Sequence, residues 1–167
     1  MFDFISYIKK IFNENALAKK ENFQFGTCSG INALQGAVTK IKTADAFFIA
    51  DTVTTGGTVK KGPAWYQRRT FTFFILKKVK FGDEENREKT LDLCRELRRQ
   101  MLSRILHDQQ LVLAGSSGAA HISFDLESVA STEYSDMQLS NCCGLYAMIN
   151  SDEPISLMYE EREWNQG

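Results

Sequence analysis

Few residues of this chain have the types and spacing that covalent chemistry requires. The stretch Gly115-Ser116-Ser117-Gly118 is the nearest approach to a serine nucleophile. A nucleophile elbow follows the pattern GxSxG, which places the serine on a sharp strand-to-helix turn. Ala119 occupies the position of the last glycine, so the pattern is not met. The sequence therefore predicts that the protein is not a serine hydrolase.

Metal and phosphate sites are not predicted either. His107 and His121 are 14 residues apart and lie on different predicted elements, and no pair of carboxylates completes a set of metal ligands. Gly56-Gly57 lacks the lysine and the GxxxxGK[ST] spacing of a phosphate-binding loop. The sequence therefore predicts no metal site, no cofactor and no catalytic residue, and we expect that the protein is not an enzyme.

The cysteines are predicted to be structural. Cys28, Cys94, Cys142 and Cys143 are scattered along the chain, and no CxxC pair or nearby histidine suggests a zinc site. Cys94 is placed to face the core from a predicted helix. In a chain without an export signal, we expect all four to be reduced thiols.

The segment KKGPAWYQRR, residues 60–69, is the best indication of nucleic-acid binding. Its basic residues flank Trp65 and Tyr66, so the segment could contact phosphates and stack on a base. The alternative is a hairpin arm whose aromatic side chains pack on a neighbouring element, while its bases protect an edge strand from aggregation. We favour this second interpretation. The first would require a continuous patch with Lys40, Lys42 and Arg68.

Composition is that of one globular domain. The chain has 167 residues, of which 43% are hydrophobic and 25% are charged, which is enough for a sizeable core. No apolar run approaches the ~20 residues that a membrane-spanning helix needs. The start MFDFISYIKKIF mixes acidic, basic and apolar residues at helical spacing, unlike a signal or transit peptide. We therefore expect a cytosolic protein with no membrane span.

Charge is distributed unevenly along the chain. Residues 1–80 carry 13 Lys and Arg against 5 Asp and Glu, whereas residues 81–167 carry 7 against 16. One interpretation is that the two excesses cancel in the folded protein, and this is the one we favour. The other is a subunit with a basic end and an acidic end, suited to self-association or to guiding a charged polymer.

Helical patterns dominate the first 45 residues. An amphipathic helix is predicted from residue 3 to about residue 19, with Asp3 as its N-cap. A weaker helical pattern covers residues 29–44, although Gly36 inside it costs about 1 kcal/mol relative to alanine.

A long β-hairpin is predicted next. Residues 46–55 and 65–81 have strand composition, and Phe71, Phe73 and Ile75 alternate with Phe74 and Leu76 between two faces. The Gly-rich, basic segment between these runs is predicted to be the tip.

The best-defined element is a charged helix from residue 83 to about residue 109. Asp83 is its predicted N-cap, and its buried stripe is predicted to contain Leu91, Cys94, Leu97, Met101 and Ile105. Glu85–Lys89, Asp92–Arg95 and Glu96–Arg99 are predicted ion pairs.

Strands are predicted again after a flexible loop. They cover residues 121–129 and 144–150, and a further segment, 154–164, begins at a turn proline, Pro154. This order predicts an α+β fold with a mainly antiparallel sheet, a long hairpin, a long helix packed on one face and an N-terminal helix. The chain is predicted to form a single domain: a helical segment (1–45), a core (46–150) and an acidic C-terminal arm (151–167).

The order of elements around the long strand and helix resembles that of a known family. The strand RRTFTFFIL, the acidic turn GDEENREK and the helix LDLCRELRRQMLSRI are similar to the centre of phage tail terminator, or tail completion, proteins. In that family a hairpin is followed by an arginine-laced helix, and a strand pair closes the sheet. The stretches ESVASTEYSDMQL and CCGLYAMINSDEP resemble that pair. The resemblance covers residues 46–150, and the segments outside it depart from the compact family pattern.

The resemblance implies a virion structural protein that is assembled in the host cytoplasm. Subunits would form a ring, hexameric by the resemblance, on the last layer of tail-tube protein. One face would stop tube polymerisation and the other would dock to the neck or connector protein, while DNA passes through the lumen without sequence-specific binding. Head–tail connector and neck adaptor proteins have similar small subunits, so that role is an alternative, followed by a nucleic-acid-binding module.

The predicted interface is the hairpin tip, residues 54–63, together with the aromatic residues that follow it. Hairpin loops commonly make contacts between ring subunits in the family. The candidate interface residues are Thr54, Thr55, Gly56, Gly57, Lys60, Lys61, Trp65 and Tyr66.

Overall fold

A computed structural model of the chain describes residues 2–41, 43–80, 82–113, 123–134 and 141–160. Its centre is a six-stranded mixed sheet in the order β1-β2-β4-β6-β5, with β3 paired to β4 beside β2. The strands are β1 (Phe23–Cys28), β2 (Ala46–Asp51), β3 (Thr55–Lys61), β4 (Ala64–Lys78), β5 (Ser123–Tyr134) and β6 (Cys142–Ile155). The helices are α1 (Phe4–Glu14), α2 (Ala16–Lys20), α3 (Leu34–Lys40) and α4 (Glu84–Leu113). The predicted α+β class with a mainly antiparallel sheet is confirmed.

Strand β4 organises the sheet and separates two cores. Phe71, Phe73 and Ile75 face the core formed with α1 and α4, whereas Phe74 and Leu76 face a smaller core with α3. This alternation confirms the prediction from the sequence and follows from the two-residue period of a strand. The long strand is therefore buried on both faces at its middle.

Helix α4 matches its prediction closely. The five predicted stripe residues are all buried, and the Asp83 carboxylate accepts a hydrogen bond from the Asn86 amide at 3.0 Å as an N-cap. The three predicted ion pairs are also present, with N–O distances of 2.6 to 2.7 Å. Its charged face therefore has a structural explanation as a solvated helix surface.

The N-terminal helical segment is divided. Asp3 caps α1 as predicted, but the chain leaves helical geometry at Asn15, whose side chain accepts a hydrogen bond from the Ala18 amide and so caps α2. The predicted single helix is therefore two helices. The weak pattern of residues 29–44 forms a 3-10 turn, Ile31–Ala33, followed by the short helix α3.

Strand β1 was not predicted from the sequence. It pairs in parallel with β2, and α3 connects the two strands, so the sheet is mixed. The segment FQFGTC is only 6 residues long and contains Gly26, which makes it a weak strand signal. Gly26 packs against Ile49 and Ile41, where a Cβ would lie 2.8 Å and 3.1 Å from their Cδ1 atoms.

Two predicted connections differ from the structure. Most of the predicted Gly-rich tip is strand β3, and the turn itself is Gly62-Pro63. Pro154 lies within β6, opposite Tyr66, and not in a turn. Because β5 begins opposite Asp152, β6 has an open side beyond that point, and a strand tolerates proline at such an edge.

Several predictions fall outside the described residues. They concern Lys42, the loop with Gly115–Gly118 and His121, and the acidic arm beyond residue 160. Among the described residues, no helix is both long enough and apolar enough to cross a membrane.

A candidate assembly interface at the hairpin tip

The hairpin turn fixes which backbone groups of β3 face β4. Gly62 has a φ of 57°, and the ring of Pro63 holds its own φ negative, so the turn has the signs of type II′. In a hairpin with a two-residue loop, the flanking residues, Lys61 and Ala64, form a hydrogen-bonded pair. Alternation then points the backbone groups of Gly57 and Val59 to β4 as well. Those of Gly56, Thr58 and Lys60 point away from the sheet.

Lysines cover the two aromatic residues of the tip. Trp65 and Tyr66 are neighbours on β4 and point to opposite faces. The Lys60 ammonium lies 5.5 Å from the Trp65 ring centre, and that of Lys61 lies 5.7 Å from the Tyr66 ring centre. Both distances are within the range of cation–π attraction. The predicted interface residues Lys60, Lys61, Trp65 and Tyr66 therefore lie at the same end of the hairpin, as one lysine–aromatic pair on each face of the sheet.

The remaining predicted residues lie elsewhere along the hairpin. Thr54 precedes β3, and Thr55, Gly56 and Gly57 begin it, opposite residues 68–70. At about 3.3 Å per residue, these positions are on the order of 15 to 25 Å from the turn. The predicted set is therefore one edge strand with its tip and not one loop.

A buried carboxylate holds the tip onto β6. Asp152 is 3% exposed, and its two oxygens accept bonds of 2.8 Å and 2.9 Å from the Arg68 guanidinium. The Lys61 ammonium lies 2.6 Å from the same carboxylate. Hydrogen bonds from Arg68, with a further contribution from Lys61, lower the pKa of Asp152 to about 2. Asp152 was not among the predicted site residues.

These ion pairs neutralise much of the basic charge near the tip. Arg69 also has a carboxylate partner, Glu153, at 3.8 Å. The pairing joins the basic first half of the chain to its acidic second half, which supports the interpretation that the two excesses cancel. A phosphate-binding patch built on residues 60–69 would have to break these ion pairs.

Exposed apolar side chains from three elements converge at this end of the sheet. Trp65 is 39% exposed, and Leu157 and Met158, which follow β6, are 56% and 81% exposed. These three residues line one groove with Pro154. Leu113, at the end of α4, is 78% exposed and lines a second groove that also contains Pro154. We call Trp65, Leu113, Leu157 and Met158 the tip surface.

Other clusters of ionisable groups have structural roles. The Tyr7 hydroxyl donates a hydrogen bond of 3.1 Å to Asp108, and burial together with Asp108 raises the pKa of Tyr7. The Arg104 guanidinium joins Asp108 to Glu14, at 2.8 Å from each. The cluster therefore ties α1 to α4.

The cysteines are also structural. All four are free and buried, as predicted, and burial raises the pKa of Cys94 to about 12. No group of three or more potential metal ligands occurs in the described part of the chain.

Comparisons with known proteins do not assign a family. No protein-family model matches the chain, and no curated protein matches its sequence significantly.

The two lysines of the tip are predicted to differ in their effect on folding. Replacing Lys61 with glutamate places a carboxylate beside buried Asp152, so we expect a loss of about 1 to 2 kcal/mol in the free energy of unfolding. Replacing Lys60 with glutamate removes one exposed cation–π contact, worth about 0.5 kcal/mol. Urea unfolding of both variants measures the difference. Equal losses of unfolding free energy in the two variants would contradict the ion pair between Lys61 and Asp152.

Proposed function

We propose that the protein is a non-enzymatic structural subunit that assembles into a ring, and specifically a phage tail terminator that caps the tail tube and joins it to the neck. The observation that carries the proposal is the tip surface. Exposed apolar side chains that are clustered, like those lining the two grooves that both contain Pro154, mark interaction sites. The resemblance in element order supplies the more specific role.

The form of the tip also supports an assembly role. A ring is built from a heterologous contact, in which two different surfaces of one subunit meet on successive copies. The chain offers two such surfaces at one end, the apolar tip surface and the open edge of β3. The ion pairs of Asp152 with Arg68 and Lys61 hold the hairpin against β6, so the positions of both surfaces relative to the sheet are fixed.

Self-association is tested by the mass of the purified chain in solution. Light scattering behind a sizing column is expected to give a closed oligomer of the 19.0 kDa chain, alone or after mixing with candidate tail-tube protein. Trp65→Ser and Met158→Ser are expected to reduce the oligomer at least about tenfold in apparent affinity, because each removes buried contact area. A monomer that is indifferent to tube protein would overturn the proposal.

The matched control is Ile31→Ser. Ile31 is an apolar residue with 57% exposure in the 3-10 turn before α3, away from the tip. We expect this variant to assemble like the parent chain. Equal effects of Ile31→Ser and Met158→Ser would show that general surface hydrophobicity, and not the tip surface, drives association.

A further inference from the structure

We propose that the open edge of β3 accepts the C-terminal segment of a second copy of the chain as an added strand. The segment begins at Ser156, directly after β6, with the sequence SLMYEERE. This inference rests on the proposed self-association and specifies how one copy holds the next. Strand addition to an exposed edge is a general mode of peptide recognition.

The residues of β3 are mostly exposed. Among the described strands, β3 pairs only with β4. Strands β2 and β3 lie on the same side of β4. On that side, β1 pairs with the outer edge of β2 and ends at Cys28, opposite Asp51. An added strand along β3 would therefore continue the line of β1. Its partners would be the outward backbone groups of Gly56, Thr58 and Lys60.

The other two sheet edges are less suited to an added strand. On β5, a bulge between Asp125 and Ala130 interrupts the regular ladder. The backbone amide of Phe124 also donates a hydrogen bond of 3.3 Å to the Gln109 side chain. Bulges and covering side chains are common ways to protect an edge. On β1, residues of α1 and α2 line a groove together with residues 22–25. Among the described residues, the ladder of β3 with β4 has no bulge. The lysines that could protect this edge are instead held against β4 and β6, Lys60 over Trp65 and Lys61 beside Asp152.

The described start of the C-terminal segment, residues 156–160, lies outside the strands of its own chain. Leu157, Met158 and Tyr159 are all more than half exposed and belong to no strand. The following residues Glu160, Glu161 and Glu163 outweigh one arginine. At the end of β3, Lys61 is already paired with Asp152, so Lys60, which lies over the Trp65 ring, is the lysine whose charge is complementary to these acids.

The direction of the chain favours a second copy as the donor. Strands β3 and β6 are both antiparallel to β4 and lie on opposite sides of it. The segment therefore leaves its own sheet at the tip, with β4 between it and its own β3. Reaching that edge in the same chain would require a reversal around the turn. The segment of a second copy is not restricted by this connection.

Amide hydrogen exchange of the full chain, followed by NMR across a range of concentrations, tests the inference. The amides of Gly57, Val59 and Lys61 bond to β4 and should be protected in every sample. The amides of Gly56, Thr58 and Lys60 should exchange rapidly in the monomer. They should slow at least about tenfold in the oligomer, because they then exchange only while the added strand is dissociated.

A pair of variants at one position tests the backbone contact separately. Thr58→Pro removes an outward N–H and no bond to β4, so we expect a folded chain whose self-association weakens at least about tenfold. Thr58→Ala keeps the N–H and is expected to associate like the parent. If the proline variant proves misfolded, the exchange pattern of the unmodified chain remains the deciding measurement.

The exchange results test strand addition separately from ring formation. An oligomer whose outward amides exchange as fast as in the monomer would overturn strand addition and leave self-association intact. If the chain stays monomeric, a synthetic peptide of residues 156–167 is added in excess. Slowed exchange of the outward amides would then support the strand site although the proposed ring fails. Unchanged exchange would overturn both.

Discussion

Replacing Gly144 with alanine is expected to destabilise the protein by about 3 kcal/mol or more. Gly144 lies in β6 between Leu76 of β4 and Tyr134 of β5, and its φ is 155°. A Cβ at this position would lie 2.0 Å from the carbonyl oxygen of Ile75. Neither backbone can move away, because β4 and β5 hold β6 from both sides. Urea unfolding, or complete loss of folded protein, measures the effect.

Gly36→Ala is the matched control for this prediction. Gly36 lies inside α3, where an added Cβ would have no other heavy atom within 4 Å. Alanine is the better helix former by about 0.5 to 1 kcal/mol, so this variant should be slightly more stable than the parent. Opposite signs at the two glycines are expected. A Gly144→Ala protein as stable as the parent would contradict the register of β6 between its neighbours.

Local periodicity was sufficient to predict the two longest elements of the fold. In α4, apolar residues recur every three to four positions from Leu91 to Ile105, and a helix has few other ways to bury them. In β4, the alternation of Phe73 with Phe74 indicates apolar cover on both faces. Such patterns depend only on neighbours in sequence, so no knowledge of the rest of the fold was required.

Elements defined by distant partners could not be predicted in the same way. Strand β1 exists because its short segment adds to β2 across the α3 connection, and Gly26 has a weak preference for a strand by itself. The predicted extent of the Gly-rich tip is wrong for a related reason. Local composition places Gly56 and Gly57 in the tip, but pairing with residues 68 and 69 of β4 makes them part of β3. Tertiary pairing outweighed the local propensity of glycine.

The candidate site was predicted only in part. Trp65 and the adjacent lysines stood out because aromatic and basic residues are clustered there in sequence. Asp152 did not, since its role depends on a partner, Arg68, that is 84 residues away. The dipeptides Arg68-Arg69 and Asp152-Glu153 have complementary charges, which is visible in the sequence. Only the register of β4 with β6 shows that they lie opposite each other.

Replacing Asp152 with asparagine is expected to cost on the order of 2 to 3 kcal/mol of unfolding free energy at neutral pH. An amide offers only one acceptor oxygen and no charge to Arg68 and Lys61, which converge on this carboxylate. The hairpin would then keep its backbone ladder with β6 but lose the ion pairs of Arg68 and Lys61 with that strand. Chemical unfolding at pH 7 measures the loss. The Glu153→Gln variant is the control, since its partner Arg69 lies at 3.8 Å on a partly exposed surface, and such pairs contribute about 0 to 1 kcal/mol.

The pH dependence of this difference identifies the charge as its cause. The folded-state pKa of Asp152 is depressed from 3.8 to about 2, so the folded protein binds fewer protons than the unfolded chain between these values. The stabilisation by Asp152 is therefore fully present above about pH 4 and is lost as the pH falls toward 2. We expect the stability gap between the parent and Asp152→Asn to narrow over that interval, by on the order of 2 kcal/mol. A gap that stays constant from pH 7 to pH 2 would mean that packing of the side chain, and not its ion pairs, holds the tip to the sheet.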